Sequence, residues 1–413
     1  MMNSATACTA SADDPIPDDL PAAARAVLRL IRALPHGRLH VLAPDGRALR
    51  FGACADEGGL RASVRLRNWD VCAAALRSGD IGFAERYIAG DWTSPDLPAL
   101  LRLLTANRNA VESLVYGRWW GALLHRLRHA LQRNSRRGSR RNIHAHYDLG
   151  NAFYELWLDT GMSYSSAWFD GDTSQPLEQA QAAKSRRALQ DAGVHGGERL
   201  LEIGCGWGGL AELAAAEFDA RVTGVTLSTE QLSHGRARIA AAGLADRVEL
   251  RLQDYRDIVD GPYDAVVSIE MFEAVGRQYW DGWFAALRRL LRPGGRACIQ
   301  SITIRDDLFP RYLRSTDFIQ QYIFPGGLLP SPSAFREAAA RAGLRVVNEL
   351  AFGRDYAETL RRWRRAFLAR HEAASALGFD ERFMRTWEFY LAYCEAAFDE
   401  GSTDVIQFTL VRD

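Results

Sequence analysis

The chain reads as an α/β protein whose main domain is a parallel, Rossmann-like sheet covered by helices, preceded by a smaller α+β domain. Three observations carry that expectation. From residue 199 onward, apolar strand segments alternate with helix-period segments. At 200–209 an apolar strand, Leu-Leu-Glu-Ile, runs without a spacer into Gly204-Cys-Gly-Trp-Gly-Gly209, with a helical pattern behind it. Asp260-Gly-Pro262 and Arg292-Pro-Gly-Gly295 mark the turns between later segments. Repeated strand–helix–strand units imply parallel strands buried on both faces. A chain of 413 residues has room for one such domain of roughly 250 residues and a smaller one.

Taken in order, residues 1–19 are acidic and proline-containing, with no basic segment leading into an apolar core. They read as a disordered start, not a signal peptide. Residues 20–124 read as the small domain, with a helix at 22–33, alternating strands around 39–41 and 61–67, then helices. Its segment 79–92 mixes apolar and aromatic residues with glycines and reads as packing. Residues 125–142 form a basic linker containing Arg126, Arg128, Arg133, Arg136, Arg137, Arg140 and Arg141. The main domain, 143–413, is expected to carry strands at 199–203, 221–226, 247–252, 263–269 and 296–304. Helices are expected at 209–218, 229–242, 279–291 and 333–342. Two aromatic-rich helical stretches, 355–370 and 380–398, precede a last strand at 405–410, expected to insert antiparallel.

Composition narrows the class. Hydrophobic residues make up 47% and charged residues 25%, ordinary for a globular protein, and 51 basic side chains balance 51 acidic ones. Net charge therefore selects no partner. The arginine stretch does suggest one, because guanidinium binds phosphate in a planar, bidentate way. Anionic headgroups, nucleic acid and a solvated linker all remain open at this point. Lys184 is the only lysine. The six cysteines are scattered without metal-binding spacing, so no metal site is expected and a reducing compartment is. No apolar run approaches the ~20 residues that span a bilayer.

The glycine loop alone is ambiguous, since Gly204-x-Gly206-x-x-Gly209 also fits a dinucleotide fingerprint. A dinucleotide site needs an acid at the end of the second strand. That strand ends in Thr226-Leu227-Ser228. Acids stand instead before the glycines, at Glu202, and after the third strand, at Asp254. The first suits an amino-acid ammonium and the second an adenine amine; S-adenosylmethionine carries both. Its site is expected at the carboxyl ends of the strands, where Gly204, Thr226, Asp254, Ile269 and Ile302 fall.

An ordered series of motifs then resembles the cyclopropane fatty acid synthases. These are His146 with Tyr147-Asp-Leu-Gly-Asn151, Tyr164-Ser-Ser166, Glu202-Ile-Gly-Cys-Gly-Trp-Gly-Gly209, Gly224-Val-Thr-Leu-Ser228 and Asp254-Tyr-Arg256. Glu270-Met-Phe-Glu-Ala-Val-Gly276 and Tyr322-Ile-Phe-Pro-Gly-Gly327 complete it. The resemblance covers about residues 75 to 411. It implies a class I methyltransferase fold and methyl transfer from S-adenosylmethionine to the cis double bond of a phospholipid acyl chain, followed by ring closure. The resulting carbocation needs a dry pocket with π density, for which Phe272, Tyr322, Phe324, Trp280 and Tyr356 are available. The resemblance also implies a bound bicarbonate as the base, with Glu273 accepting its hydroxyl and Ile302 N–H and Tyr356 donating to it. Ser166 stands where a cysteine is usual and Gln300 where a histidine is usual; both remain donors. These choices, with Ala274, resemble a plant-type branch that makes cyclopropanes and bacterial relatives that leave a methyl or methylene branch. Cys394 matches a cysteine once proposed as nucleophile, though nothing in the sequence activates it.

For the cofactor, Tyr164 and Ser165 are expected near the methionine carboxylate, with Glu202, Gly204 and Gly206 along the methionine and ribose. Thr226, Leu227 and Gln231 are expected at the ribose or adenine edge, and Gln253, Asp254 and Tyr255 around the adenine. The small domain and basic linker are expected to dock on headgroups at the inner face of the cytoplasmic membrane. The scattered cysteines and the start of the chain lead to an expected cytoplasmic, peripheral protein, the lack of an Asn-Pro-Pro-Tyr type or paired-cysteine motif after the fourth strand to no nucleic-acid partner, and the resemblance to a homodimer.

Overall fold

The computed structural model describes residues 13–52, 59–110 and 149–413. The basic linker at 125–142, His146, Tyr147 and the first twelve residues lie outside the described residues. The chain divides into two compact units, 1–123 with 385–396 and 124–384 with 397–413.

In the first unit, strands β1 (Arg38–Leu42), β2 (Ala48–Phe51), β3 (Arg61–Leu66) and β4 (Trp92–Thr93) form a sheet in the order β2-β1-β3-β4. Helices Ala22–Arg32, Asp70–Ile88 and Leu97–Ala106 accompany it. Each strand buries alternate residues, as a one-sided sheet requires. Gly79, at φ 61°, breaks the helical path within Asp70–Ile88.

Among the described residues, the second unit holds seven strands: β5 (Arg199–Ile203), β6 (Arg221–Thr226), β7 (Val248–Leu252), β8 (Tyr263–Ile269), β9 (Leu291–Ile304), β10 (Leu344–Ala351) and β11 (Thr403–Arg412). Their order is β10-β11-β9-β8-β5-β6-β7. Strands β5 to β9 pair in parallel, and β11 inserts antiparallel between β9 and β10, as expected for the last strand. The chain winds outward in one direction from β5 and in the other from β8, so the switch point lies between those two strands. Ligands of open α/β sheets lie at such a crevice, beyond the carboxyl ends.

The two faces of this sheet are packed differently. Helices Leu177–Asp191 and Gly209–Phe218 press alanines, among them Ala188, Ala211, Ala214 and Ala215, against Leu200, Val222 and Val267. The opposite face is aromatic, built from Phe272, Trp280, Trp283, Phe284, Phe335 and Phe408. Gly224 allows the close approach on the alanine side, because a Cβ there would stand 2.6 Å from Leu250 Cδ2. Among the described residues, no helix is long and apolar enough to cross a membrane.

The expected strands and helices of the main sheet appear within a few residues of their predicted bounds; β9 begins five residues earlier and takes in the turn glycines. Helix Leu177–Asp191 and strands β2 and β10 have no counterpart in the sequence reading. The helix buries Gln181, Lys184 and Ser185 beside Ala180, Ala188 and Leu189, so polar residues interrupt its apolar stripe. Strand β10 is an edge strand without alternating burial.

Candidate active site

At the switch point, β5 delivers Glu202 and then the glycine turn. Gly204 has φ +87° and Gly206 φ +49°, conformations that L side chains adopt only with strain, and nothing stands within 4 Å of a Cβ on Gly206. Gly208, in the left-handed region, starts helix Gly209–Phe218. Backbone N–H groups at this helix start are available to a ligand. Trp207 Nε1 donates to Asn151 Oδ1 at 2.7 Å, tying the first motif of the series to the turn. Glu202 is 3% exposed, its Oε2 has no partner, and burial pushes its pKa up to about 8. An unpaired buried carboxylate oxygen beside an open glycine turn fits a donor such as an ammonium.

Across the switch point, the chain leaves β8 through Glu270 and Glu273. Glu270 has φ 49°, a left-handed conformation that costs a non-glycine residue roughly 1–2 kcal/mol. Its carboxylate collects three donors: Ser166 N–H to Oε1 at 2.9 Å, Gln300 Nε2 to Oε1 at 2.7 Å, and Tyr356 Oη to Oε2 at 2.7 Å. The Gln300 amide is oriented by Gln407, whose Nε2 donates to Gln300 Oε1 at 3.0 Å. Glu273 is served differently. Its Oε1 accepts from Ile302 N–H and from Ser301 Oγ, while Oε2 is buried without a partner. Both glutamates are largely enclosed by protein yet keep a small accessible face.

The sequence reading gathers Ser166, Gln300, Ile302 and Tyr356 around an anion held by Glu273; the structure divides them between two carboxylates. Only Ile302 meets Glu273; the other three meet Glu270. Ser166 acts through its backbone N–H, because its hydroxyl donates to Ala167 O at 2.9 Å.

Lys184 completes the polar centre. Helix Leu177–Asp191 buries it, and its Nζ donates to Ser165 Oγ at 2.6 Å. Burial lowers the ammonium pKa, while the charges of Glu270, Asp159 and Glu202 raise it. Burial also raises Glu270, opposed by Tyr356, the Ser166 N–H, Lys184 and Gln300. Burial and then the charge of Glu270 push Glu273 up to about 8. Of these carboxylates Glu270 has the most donors, which favour its charged form against the effect of burial. Sequence reasoning gave neither Glu270 nor Lys184 a role, although the first stood inside a quoted motif and the second was the only lysine.

The remaining cofactor candidates line the same edge. Thr226 Oγ1 donates to Gln231 Oε1 at 2.9 Å and accepts from Ser228 N–H, so Thr226, Leu227 and Gln231 form one corner after β6. Asp254 caps the turn after β7, and both its oxygens accept from the Arg256 guanidinium, at 2.8 and 2.5 Å. Gln253 Nε2 donates to Asp257 O at 3.0 Å. Tyr255 is half-buried, with the Arg256 guanidinium 5.5 Å from its ring centroid. Tyr164 packs among Tyr154, Trp157 and Trp363, with ring centroids 5.5 to 5.6 Å away, and 6.5 Å from Phe324. Phe272 and Trp280, expected to face a cation, sit instead in the aromatic core against Trp283, Phe284, Phe335 and Phe309. Cys394 is a half-buried cysteine outside any disulfide, in the helical stretch 385–396 that groups with the first unit.

The chain resembles known proteins over most of its length. The profile of the mycolic acid cyclopropane synthetase family matches residues 134–408. A tuberculostearic acid methyltransferase of Mycobacterium tuberculosis is 45% identical over 85% of this chain and 83% of its own. A cyclopropane-fatty-acyl-phospholipid synthase of Escherichia coli is 36% identical over 87% of this chain and 90% of its own. Among solved structures, a mycolic acid cyclopropane synthase complexed with SAH and CTAB superposes with a TM-score of 0.61 at 35% identity. That match covers 66% of this chain and 97% of the synthase.

Proposed function

Because the chain belongs to the mycolic acid cyclopropane synthetase family, we propose that it moves the sulfonium methyl of S-adenosylmethionine onto the cis double bond of an unsaturated phospholipid acyl chain, and that proton loss then closes a cyclopropane ring. One observation carries the reading: an open glycine turn with an unpaired carboxylate faces, across the switch point, a second carboxylate centre suited to accept a proton. The donor supplies an electrophile strong enough for an alkene, which is a weak nucleophile. Gly204 and Gly206 let the backbone approach it, Glu202 would hold its ammonium, and Tyr164 and Ser165 would lie along its amino-acid end. Thr226, Leu227, Gln231 and the Gln253–Tyr255 corner would hold its nucleoside end.

The carboxylates of Glu202 and Glu270 favour a positive charge arriving between them and the cation that alkylation leaves on the acyl chain. Tyr164, Trp363, Tyr356 and Phe324 supply an aromatic wall, and a desolvated cation–π contact contributes about 2 kcal/mol. Bicarbonate, which the family resemblance implied as base, does not fit the residues present. Tyr356, Gln300 and the Ser166 N–H already donate to Glu270, so the donors are spent.

The 45% identity to a tuberculostearic acid methyltransferase favours a second reading, in which the same alkylation ends in a methyl or methylene branch. Docking to the inner face of a membrane, in a dimer, is part of the proposal for the first unit and the basic linker. The test is incubation of the purified protein with S-adenosylmethionine and dioleoyl phospholipid vesicles, followed by proton NMR of the fatty esters. A high-field cyclopropane signal supports the first reading, olefinic methylene or branched methyl signals support the second, and unchanged oleate refutes both.

A further inference from the structure

We propose that Glu270 is itself the base: its carboxylate occupies the anion seat made by the Ser166 N–H, the Gln300 amide and the Tyr356 hydroxyl, and it takes the proton that the alkylated acyl chain must lose. The inference rests on the methyl-transfer reading and replaces the free anion that the family resemblance implied. Its starting point is the donor set. Three neutral donors converge on one carboxylate at 2.7 to 2.9 Å. A carboxylate has lone pairs beyond those three contacts, so it is positioned by them and still able to accept a proton.

The seat is also specific in orientation. Gln300 has its oxygen engaged by Gln407 Nε2, which leaves its N–H₂ to face Glu270. Gln407 in turn donates to Lys184 O at 3.2 Å, and Lys184 Nζ to Ser165 Oγ, next to the Ser166 whose N–H serves the carboxylate. A second anion in this seat would meet the Glu270 charge among largely buried groups, and the donors would have to leave one for the other.

The backbone adds an independent observation. Glu270 lies at φ 49°, where glycine is the natural choice. A strained non-glycine residue is a feature of functional sites, kept for what its side chain does. A purely structural ion pair with Lys184 does not explain the arrangement, because the described hydrogen bond of Nζ goes to Ser165 and the carboxylate is held by neutral groups.

The step balances as follows. The alkene π pair forms the bond to the transferred methyl, and the carbon–sulfur pair leaves with sulfur as a neutral thioether. A C–H bond of the new methyl then breaks, its pair closes the ring onto the cationic carbon, and the proton goes to a Glu270 oxygen. Loss from a neighbouring chain carbon sends that pair into a new double bond instead, with the same acceptor.

The experiment uses the full chain, Glu270→Gly and carbon-13 bicarbonate. Glycine suits the left-handed backbone, so the variant keeps its fold, checked by calorimetric binding of S-adenosylhomocysteine. The expected result is no bound bicarbonate resonance in the native protein, a bound resonance in E270G, and an E270G turnover at least ~100-fold lower. Added bicarbonate then restores E270G turnover by about tenfold or more, as a replacement base would. Bound bicarbonate in the native protein, an E270G variant with more than half the native rate, or an E270G variant that neither binds bicarbonate nor recovers would overturn the assignment. A native protein that alkylates no unsaturated phospholipid would defeat the methyl-transfer reading instead, while the bicarbonate titration, which needs no turnover, still decides what occupies the seat.

Discussion

Glu270 and Glu273 leave the same strand end three residues apart, yet one is surrounded by donors and the other keeps a buried oxygen with no partner. The chain has placed hydrogen-bond donors, and with them negative charge, at one position and left the neighbour to take up a proton near neutrality. Two carboxylates with environments this different are suited to separate roles: a base held ready at Glu270 and a group at Glu273 able to donate through its free oxygen. Mutation can break or sharpen that division of labour.

The largest effect is expected at Glu270. Glu270→Gln keeps shape and removes the base, so kcat should fall by roughly 10²- to 10⁴-fold while S-adenosylhomocysteine binds within about threefold of normal. An equal loss in binding would mean that Glu270 only shapes the donor pocket. Glu202→Gln should do the reverse. It removes the charge from an otherwise unpaired acceptor, so donor affinity should weaken by roughly 10- to 100-fold, with little change in kcat at saturation. Isothermal calorimetry and saturation kinetics separate the two.

A smaller effect is expected from Tyr356→Phe, which removes one of three donors from Glu270 and should lower kcat by about tenfold. Loss of a donor to the charged form raises the carboxylate pKa. The acid limb of the rate–pH profile should therefore move to higher pH, with burial, Lys184 and the two remaining donors setting its starting position. The smallest effect concerns stability. Glu273 titrates at about 8 in the fold against 4.5 ordinarily, so between those values the native state binds more protons than the unfolded one and stability falls as pH rises. Glu273→Gln should remove up to about 1.4 kcal/mol per pH unit of that slope, read from denaturant melts of the ligand-free protein at pH 5 to 8. Parallel curves for the two proteins would show that Glu273 is already ionised.

Much of this was legible in the sequence because it depends on local pattern. The strand and glycine turn at Glu202–Gly206, the strands of the parallel sheet and the antiparallel last strand follow from apolar periodicity and glycine spacing. The catalytic neighbourhood was legible only as a set of residue types. Nothing in Glu270-Met-Phe-Glu273 says which carboxylate receives the donors of Ser166, Gln300 and Tyr356, since those come from segments 86 to 104 residues away or from the neighbouring strand. The positive φ of Glu270 has no signature in a glutamate. Lys184 was hidden for another reason: its helix mixes glutamine, lysine and serine into its buried face, and polar residues in a helical pattern read as a solvated surface. Phe272 and Trp280 misled because proximity to a motif says nothing about which face of the sheet a side chain takes.

The most direct measurement of the central claim is turnover of the native protein on unsaturated phospholipid vesicles in buffer stripped of carbon dioxide, with bicarbonate then added back. If Glu270 supplies the base, the rate is the same before and after addition. A rate that collapses in the stripped buffer and returns with bicarbonate would contradict the account.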